Sequence, residues 1–162
     1  MADKEGLRWL TLTAEIEETL TVVDNLVRES KEAMSIRHPS PLEIRGAADL
    51  LHDFYTAAED IFERIADEIN GGIPRGEHSH RDLLKQMSLD VPGLRPPILS
   101  TALRNQLGEL LRFRHLFRHA YSYQLEWERV KSLLEKMPEI YLELSGALRQ
   151  FIDFLRQLGE ET

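Results

Sequence analysis

Three arginines and two histidines fall within residues 111–125, LRFRHLFRHAYSYQL, a stretch with no acidic side chain. Histidine exchanges a proton near neutral pH, and a guanidinium makes paired, permanently charged contacts to phosphate. Together they suit phosphodiester cleavage. An imidazole can move a proton to or from a ribose 2′-hydroxyl or a leaving oxygen, while an arginine offsets the negative charge that grows in the transition state. On an ideal helix, Phe113, Leu116, Phe117 and Ala120 cluster on one face and are predicted to enter the core. Arg112, His115, His119 and Tyr123 flank that face on one edge, and Arg114, Arg118 and Tyr121 on the other. Arg114 and His119 then stand about 140° apart. A joint site requires the helix to end or distort near His119, or a symmetric second subunit to supply the complementary half. On spacing alone, a solvated helix surface with the arginines paired to acidic neighbours is the simpler account.

The island stands out because the remainder of the chain is acidic. Lys and Arg total 20 against 28 Asp and Glu, a net charge of −8, which argues against a protein that coats nucleic acid by bulk electrostatics. Any nucleic-acid site has to be local. The absence of cysteine excludes disulfides, thiolate zinc sites and a cysteine nucleophile, leaving only His and carboxylate metal sites. The spacing of His52, His78 and His80 does not suggest a compact one: His78 and His80 sit beside a Gly-Gly turn, and His52 precedes Asp53 with no second ligand one turn on. Neither a metal nor a cofactor is expected. The opening MADKEGLRWL lacks the apolar stretch of a secretory signal, and no run of about 18 apolar residues occurs, so the expectation is a cytoplasmic protein without a membrane segment. Phosphate-loop, Gly-x-Ser-x-Gly and His-Glu-x-x-His motifs are all missing.

The elements that must position these residues read as helices throughout. Ser40-Pro41-Leu42-Glu43 combines an N-cap serine, a proline at the first helical position and a glutamate at N3. Leu50, Leu51, Phe54, Ala58, Ile61, Phe62, Ile65 and Ile69 then recur at three-and-four spacing until Gly71-Gly72. Upstream, Ile16, Leu20, Val23, Val27 and Met34 predict a first helix from about Thr11 or Thr13 to before Pro39. A short helix is expected from Ser79 to about Met87, a rigid connector over Val91–Pro97, and a long helix from Ser100 that carries the basic island. A shorter helix over Glu126–Met137 and a last one opening at Pro138 complete the reading. The expectation is a single all-α domain over 1–162, an up-and-down bundle of four to five helices with one or two short extra helices.

The string Arg114-His115-Leu116-Phe117-Arg118-His119-Ala120-Tyr121 resembles the Arg-x4-His-x-Tyr signature of HepT-like toxins in the HEPN superfamily. The resemblance extends through LHDFYTAAEDIFERIADEI, SHRDLLKQM and RFRHLFRHAYSYQLEWERV, roughly residues 45 to 135. It implies a metal-independent endoribonuclease, the toxin of a toxin–antitoxin pair whose partner is a minimal nucleotidyltransferase, working as a homodimer on tRNA or mRNA. By the same resemblance Arg114 would stabilise the scissile phosphate and His119 act as general base or acid. His115 and Arg118 would support them, and Tyr121 would be the hydroxyl that the antitoxin adenylylates. Glu59 is a candidate acidic partner from an earlier helix, although a solvated carboxylate is the commoner role for such a residue. Tyr121 could equally be an amphipathic packing residue. Two other readings stay open: a non-catalytic helical module that binds a nucleotidyltransferase or another protein, and a plain structural bundle.

Overall fold

In a computed structural model, which describes residues 3–119 and 125–161, the chain forms five helices: α1 (Lys4–Met34), α2 (Pro41–Ile69), α3 (Ser79–Met87), α4 (Thr101–His119) and α5 (Trp127–Glu161). The fold is an all-α bundle. α2 is its hub, touching each of the other four, while α1 packs against α2 and α5, and α3 lies against α2 and α4. The hub role follows from composition: α2 buries Leu51, Phe54, Tyr55, Ala58, Ile61, Phe62 and Ile65, an apolar face broad enough to serve several neighbours. Its start is fixed reciprocally, Glu43 N–H donating to Ser40 Oγ at 3.2 Å and Ser40 N–H to Glu43 Oε1 at 3.0 Å. Its end is fixed by Gly71 at φ 82°, after which Gly72 N–H donates back to the Ala66 carbonyl at 3.1 Å.

Three expectations require correction. α1 begins at Lys4, a full two turns before Thr11, because Asp3 caps it by accepting from Gly6 N–H at 2.7 Å. Pro138 opens no helix; it lies inside the continuous α5. An internal proline costs about 3 kcal/mol. The segment ahead of it buries Val130, Leu133, Leu134 and Met137 in phase with Ile140 and Leu144. Four such side chains contribute about 1.5–3 kcal/mol each, so burial outweighs the lost hydrogen bond. Finally, Leu116 is 57% exposed instead of entering the core, and Phe117 is only partly buried. The stripe that α4 buries is Leu103, Leu107, Leu110 and Arg114, with Phe113 beside it. Leu116 lies about 140° from Leu103 on that wheel. Ala120 lies outside the described residues.

The α3–α4 connection is pinned from within. Arg95 is buried, and its guanidinium donates to Asn70 Oδ1 at 3.0 Å and to the carbonyls of Leu89 at 3.2 Å, Pro96 at 3.2 Å and Gln86 at 2.7 Å. Burial pushes its pKa down from the usual arginine value. No carboxylate shares the site among the described residues; four oxygen dipoles hold the charge. This knot ties the end of α2 and the end of α3 to the connector that leads into α4. Arg95→Ala would remove all four of these hydrogen bonds and leave a cavity where the guanidinium is buried, and a destabilisation of about 2–4 kcal/mol is expected. Urea unfolding of the two proteins measures it, and a change below about 1 kcal/mol would mean that the connector is not held this way.

Candidate active site

Arg114 sits at the heart of the α2–α4 contact. The stripe Leu103, Leu107, Leu110, Arg114, Phe117 advances by four and three residues, so the guanidinium occupies a position that periodicity reserves for an apolar side chain. A charge there needs a partner, and α2 supplies one. Glu59, one turn after Tyr55 on the hub's buried face, is only 5% exposed. Both terminal nitrogens of Arg114 donate to Glu59 Oε1 at 3.3 Å, and Nη1 also donates to Thr56 Oγ1 at 3.3 Å. The guanidinium carbon lies 4.8 Å from the centre of the Tyr55 ring, a cation–π contact that adds to the pair.

The third member comes from α3. His80 Nδ1 lies 2.9 Å from Glu59 Oε1 and 3.2 Å from Arg114 Nη2. The carboxylate is the only acceptor of the two, so the Nδ1 proton goes to Glu59 and Nε2 remains the ring's open nitrogen. The carboxylate is buried while the imidazole is 49% exposed. A buried acid thus orients a half-exposed base, the arrangement that fixes tautomer and ring angle in general base sites. Two oxygens of this cluster, Tyr55 Oη and Glu59 Oε2, are buried without a hydrogen-bond partner. The Tyr55 phenol is driven well above its ordinary range, first by burial and then by the Glu59 charge, so it stays protonated. Glu63, one turn further along α2, is also raised, by burial and then by the negative Glu59 and Asp60.

His80 opens onto a cleft of about 500 Å³ between the start of α3 and the second half of α4, where Arg81, Arg112 and His115 also form the wall. The His115 and His119 rings lie with their centres 4.6 Å apart and their planes tilted by 59°. The island therefore divides. Arg114 turns inward to Glu59, whereas His115, Arg118 and His119 are exposed. Arg114 makes no hydrogen bond to His119 within the chain. Tyr121 lies outside the described residues. Of the residues named from the sequence, the structure joins Glu59 to Arg114 and His115 to His119, and it replaces the expected solvated Glu59 carboxylate with a buried one.

His80 is the residue that sequence reasoning passed over. The signal that finds it is the buried charge itself: Arg114 in an apolar register demands Glu59, and whatever third group satisfies Glu59 belongs to the site. A second oversight is Asp49, one turn before His52. Ligand atoms of Asp49, His52 and Asp53 lie within 4.8 Å of one another, on a largely exposed part of α2. No helix among the described residues is long and apolar enough to cross a membrane.

Residues 46–155 match the family model described as HepT-like protein, more than half of the chain. No curated protein and no solved structure matches it.

If Glu59 is the counter-ion that lets Arg114 occupy the interior, Glu59→Ala strands a buried guanidinium and should cost about 3–5 kcal/mol. The double replacement Glu59→Leu with Arg114→Met should cost far less, since neither charge is left behind. Urea denaturation of Glu59→Ala, and of the cycle formed by Glu59→Leu, Arg114→Met and their combination, checks both, and additive single effects within the cycle would mean that the two side chains do not act as a pair.

Proposed function

The chain belongs to the HepT-like protein family, of HEPN-type helical proteins, and from that premise we propose that it is the endoribonuclease toxin of a toxin–antitoxin module, cutting RNA without a metal at the α3–α4 cleft. The observation that carries this reading is the half-exposed His80 imidazole, held by the buried Glu59 at 2.9 Å and opening onto a cleft that His115 and Arg112 also line. Two imidazole sources on one cleft supply both proton transfers that RNA cleavage needs. One removes the proton of the ribose 2′-hydroxyl, the 2′-oxygen attacks phosphorus, the bond from phosphorus to the 5′-oxygen breaks, and the second imidazole protonates that leaving oxygen. The products are a 2′,3′-cyclic phosphate and a free 5′-hydroxyl, so DNA is refractory.

His80 is the base in this scheme, and the neighbouring His115 and His119 supply the acid, with His119 the catalytic member that the family motif indicates. Arg114 departs from the simplest form of that motif. Its charge is already met by Glu59, so it acts as a positioning residue that fixes the Glu59 carboxylate. Arg81 and Arg112, on the cleft wall, and the exposed Arg118 are guanidinium groups available to phosphate. A homodimer is the working unit of the proposal: Leu116, exposed beside the motif, is a side chain that a second copy would cover. Adenylylation of Tyr121 by a minimal nucleotidyltransferase would add a negatively charged nucleotide two residues past His119 and lower the local positive potential. The burial of Arg114 against Glu59 also favours a second reading, in which the motif arginine is structural and the module binds the nucleotidyltransferase without cutting RNA.

Purified protein incubated with tRNA and with mRNA in EDTA separates the two. Cleavage is expected from the wild type, with a loss of about 10²–10⁴-fold in His119→Ala and in His80→Ala. Both side chains are exposed or half-exposed, so neither change should unfold the bundle. Cleavage undiminished in both variants, or no cleavage by the wild type, would remove the catalytic reading.

A further inference from the structure

Despite the acidic surplus, only some of the chain's cations meet a carboxylate, and four that do not are gathered along one groove. Arg8, Arg28, Arg64, Arg114, Lys136 and Arg156 are all ion-paired with carboxylates. Among the described residues, Arg81 and Lys85 of α3 and Arg104 and Arg112 of α4 are not; Arg104 donates to the Ser88 hydroxyl at 3.2 Å, and Arg81 lies 3.5 Å from His78 Nδ1. These four line a second cleft of about 490 Å³. It shares Arg81 and Arg112 with the cleft that holds His80 and His115, so the two form one continuous groove between α3 and α4.

Helix geometry explains why the charges align. Arg81 and Lys85 are four residues apart and share a face of α3. On α4, Arg104, Gly108, Arg112, His115 and His119 recur within about 80° of one another, a polar stripe on the side away from the buried Leu103–Arg114 line. Gly108 leaves the floor of the groove bare at its midpoint: a Cβ built there would meet nothing closer than Arg112 Nη1, at 3.7 Å. The acids on the rim are Glu77 and Glu109, and Glu109 is already engaged by Lys136 at 3.3 Å.

We infer that this groove binds the sugar–phosphate backbone of a single RNA strand and leads it to the His80 and His115 end. The choice of RNA rests on the ribonuclease reading; the choice of a polyanion rests on the unpaired cations alone. Nine-residue α3 is about 14 Å long, so the groove it borders spans a short run of consecutive phosphates. No Phe, Tyr or Trp lines the groove, so backbone contacts dominate, and binding depends on salt more than on base sequence.

The test is binding of a fluorescent 12-nucleotide 2′-O-methyl RNA, which cannot be cleaved through its 2′-oxygen, followed by anisotropy in EDTA. Wild-type affinity should fall with salt at a logarithmic slope of about −2 to −3, the value for three or four phosphate contacts at about −0.7 each. Arg81→Gln with Lys85→Gln should weaken binding about tenfold at fixed salt, by loss of two such contacts. Gly108→Glu, which places a negative charge on the groove floor while improving helix propensity, should do the same. Lys31→Gln with Arg37→Gln, changes at exposed sites near the end of α1, should leave it unaltered. No binding, equal losses in the groove and control variants, or equal competition by a poly-glutamate of matched charge would overturn the inference. Groove-dependent binding with no cleavage of natural RNA by the wild type would keep the groove and discard the ribonuclease reading. Cleavage that is normal in Gly108→Glu and in the Arg81, Lys85 variant would keep the ribonuclease and discard the groove.

Discussion

A guanidinium placed where the helix wheel calls for a leucine sets the terms for the rest of this bundle. Removing Arg114 and Glu59 from water is expensive, and their attraction recovers that expense only when geometry and the remaining hydrogen bonds are good. Here the carboxylate oxygen is shared by both arginine nitrogens and by His80, and the cation lies over the Tyr55 ring. The return on such an arrangement is in specificity. An apolar stripe tolerates some rotation of α4 about its axis, whereas a buried ion pair permits one register. Once Arg114 is locked to α2, the side of α4 that carries Arg104, Arg112, His115 and His119 is committed to the α3 side and to solvent.

That constraint also gives the motif spacing a physical meaning in this chain. Five residues on a helix turn the direction of a side chain by about 140°. An arginine directed into the core therefore sends a histidine five residues later out to the surface. Arg114 and His119 do not have to meet; one is buried against α2 and the other is exposed next to His115. The imidazole that does meet Arg114 is His80, and it arrives from α3 because Arg95 binds the ends of α2 and α3 and the connector into one knot.

What could be read in the sequence was what local physics decides. The Ser40–Glu43 capping box, the Gly71-Gly72 stop and the α2 stripe depend on residues a few positions apart, and the structure has them as expected. Errors arose where distant packing overrules a local signal. Pro138 is a fair helix start taken by itself, and it lies mid-helix because apolar positions on both sides of it fall on one buried line. Centring the wheel on the island's own aromatics puts Leu116 in the core, whereas carrying the Leu103, Leu107, Leu110 phase forward puts Arg114 inside and Leu116 outside. His80 was beyond reach from spacing, since its neighbours Glu59 and Arg114 are 21 and 34 residues away.

The charge distribution completes the argument. Eight acids and two bases fall within residues 41–70, and the Glu59 charge is spent inside the protein on Arg114 and His80. The other acids of α2 leave it without a positive surface of its own, so a polyanion is repelled from most of the molecule. Repulsion of that kind sharpens a small positive groove, because field lines concentrate where low-dielectric walls hold unpaired cations. The net charge of −8 and the unpaired Arg81, Lys85, Arg104 and Arg112 are therefore compatible: the first discourages adsorption over the surface at large, and the second gathers four cations along a single cleft.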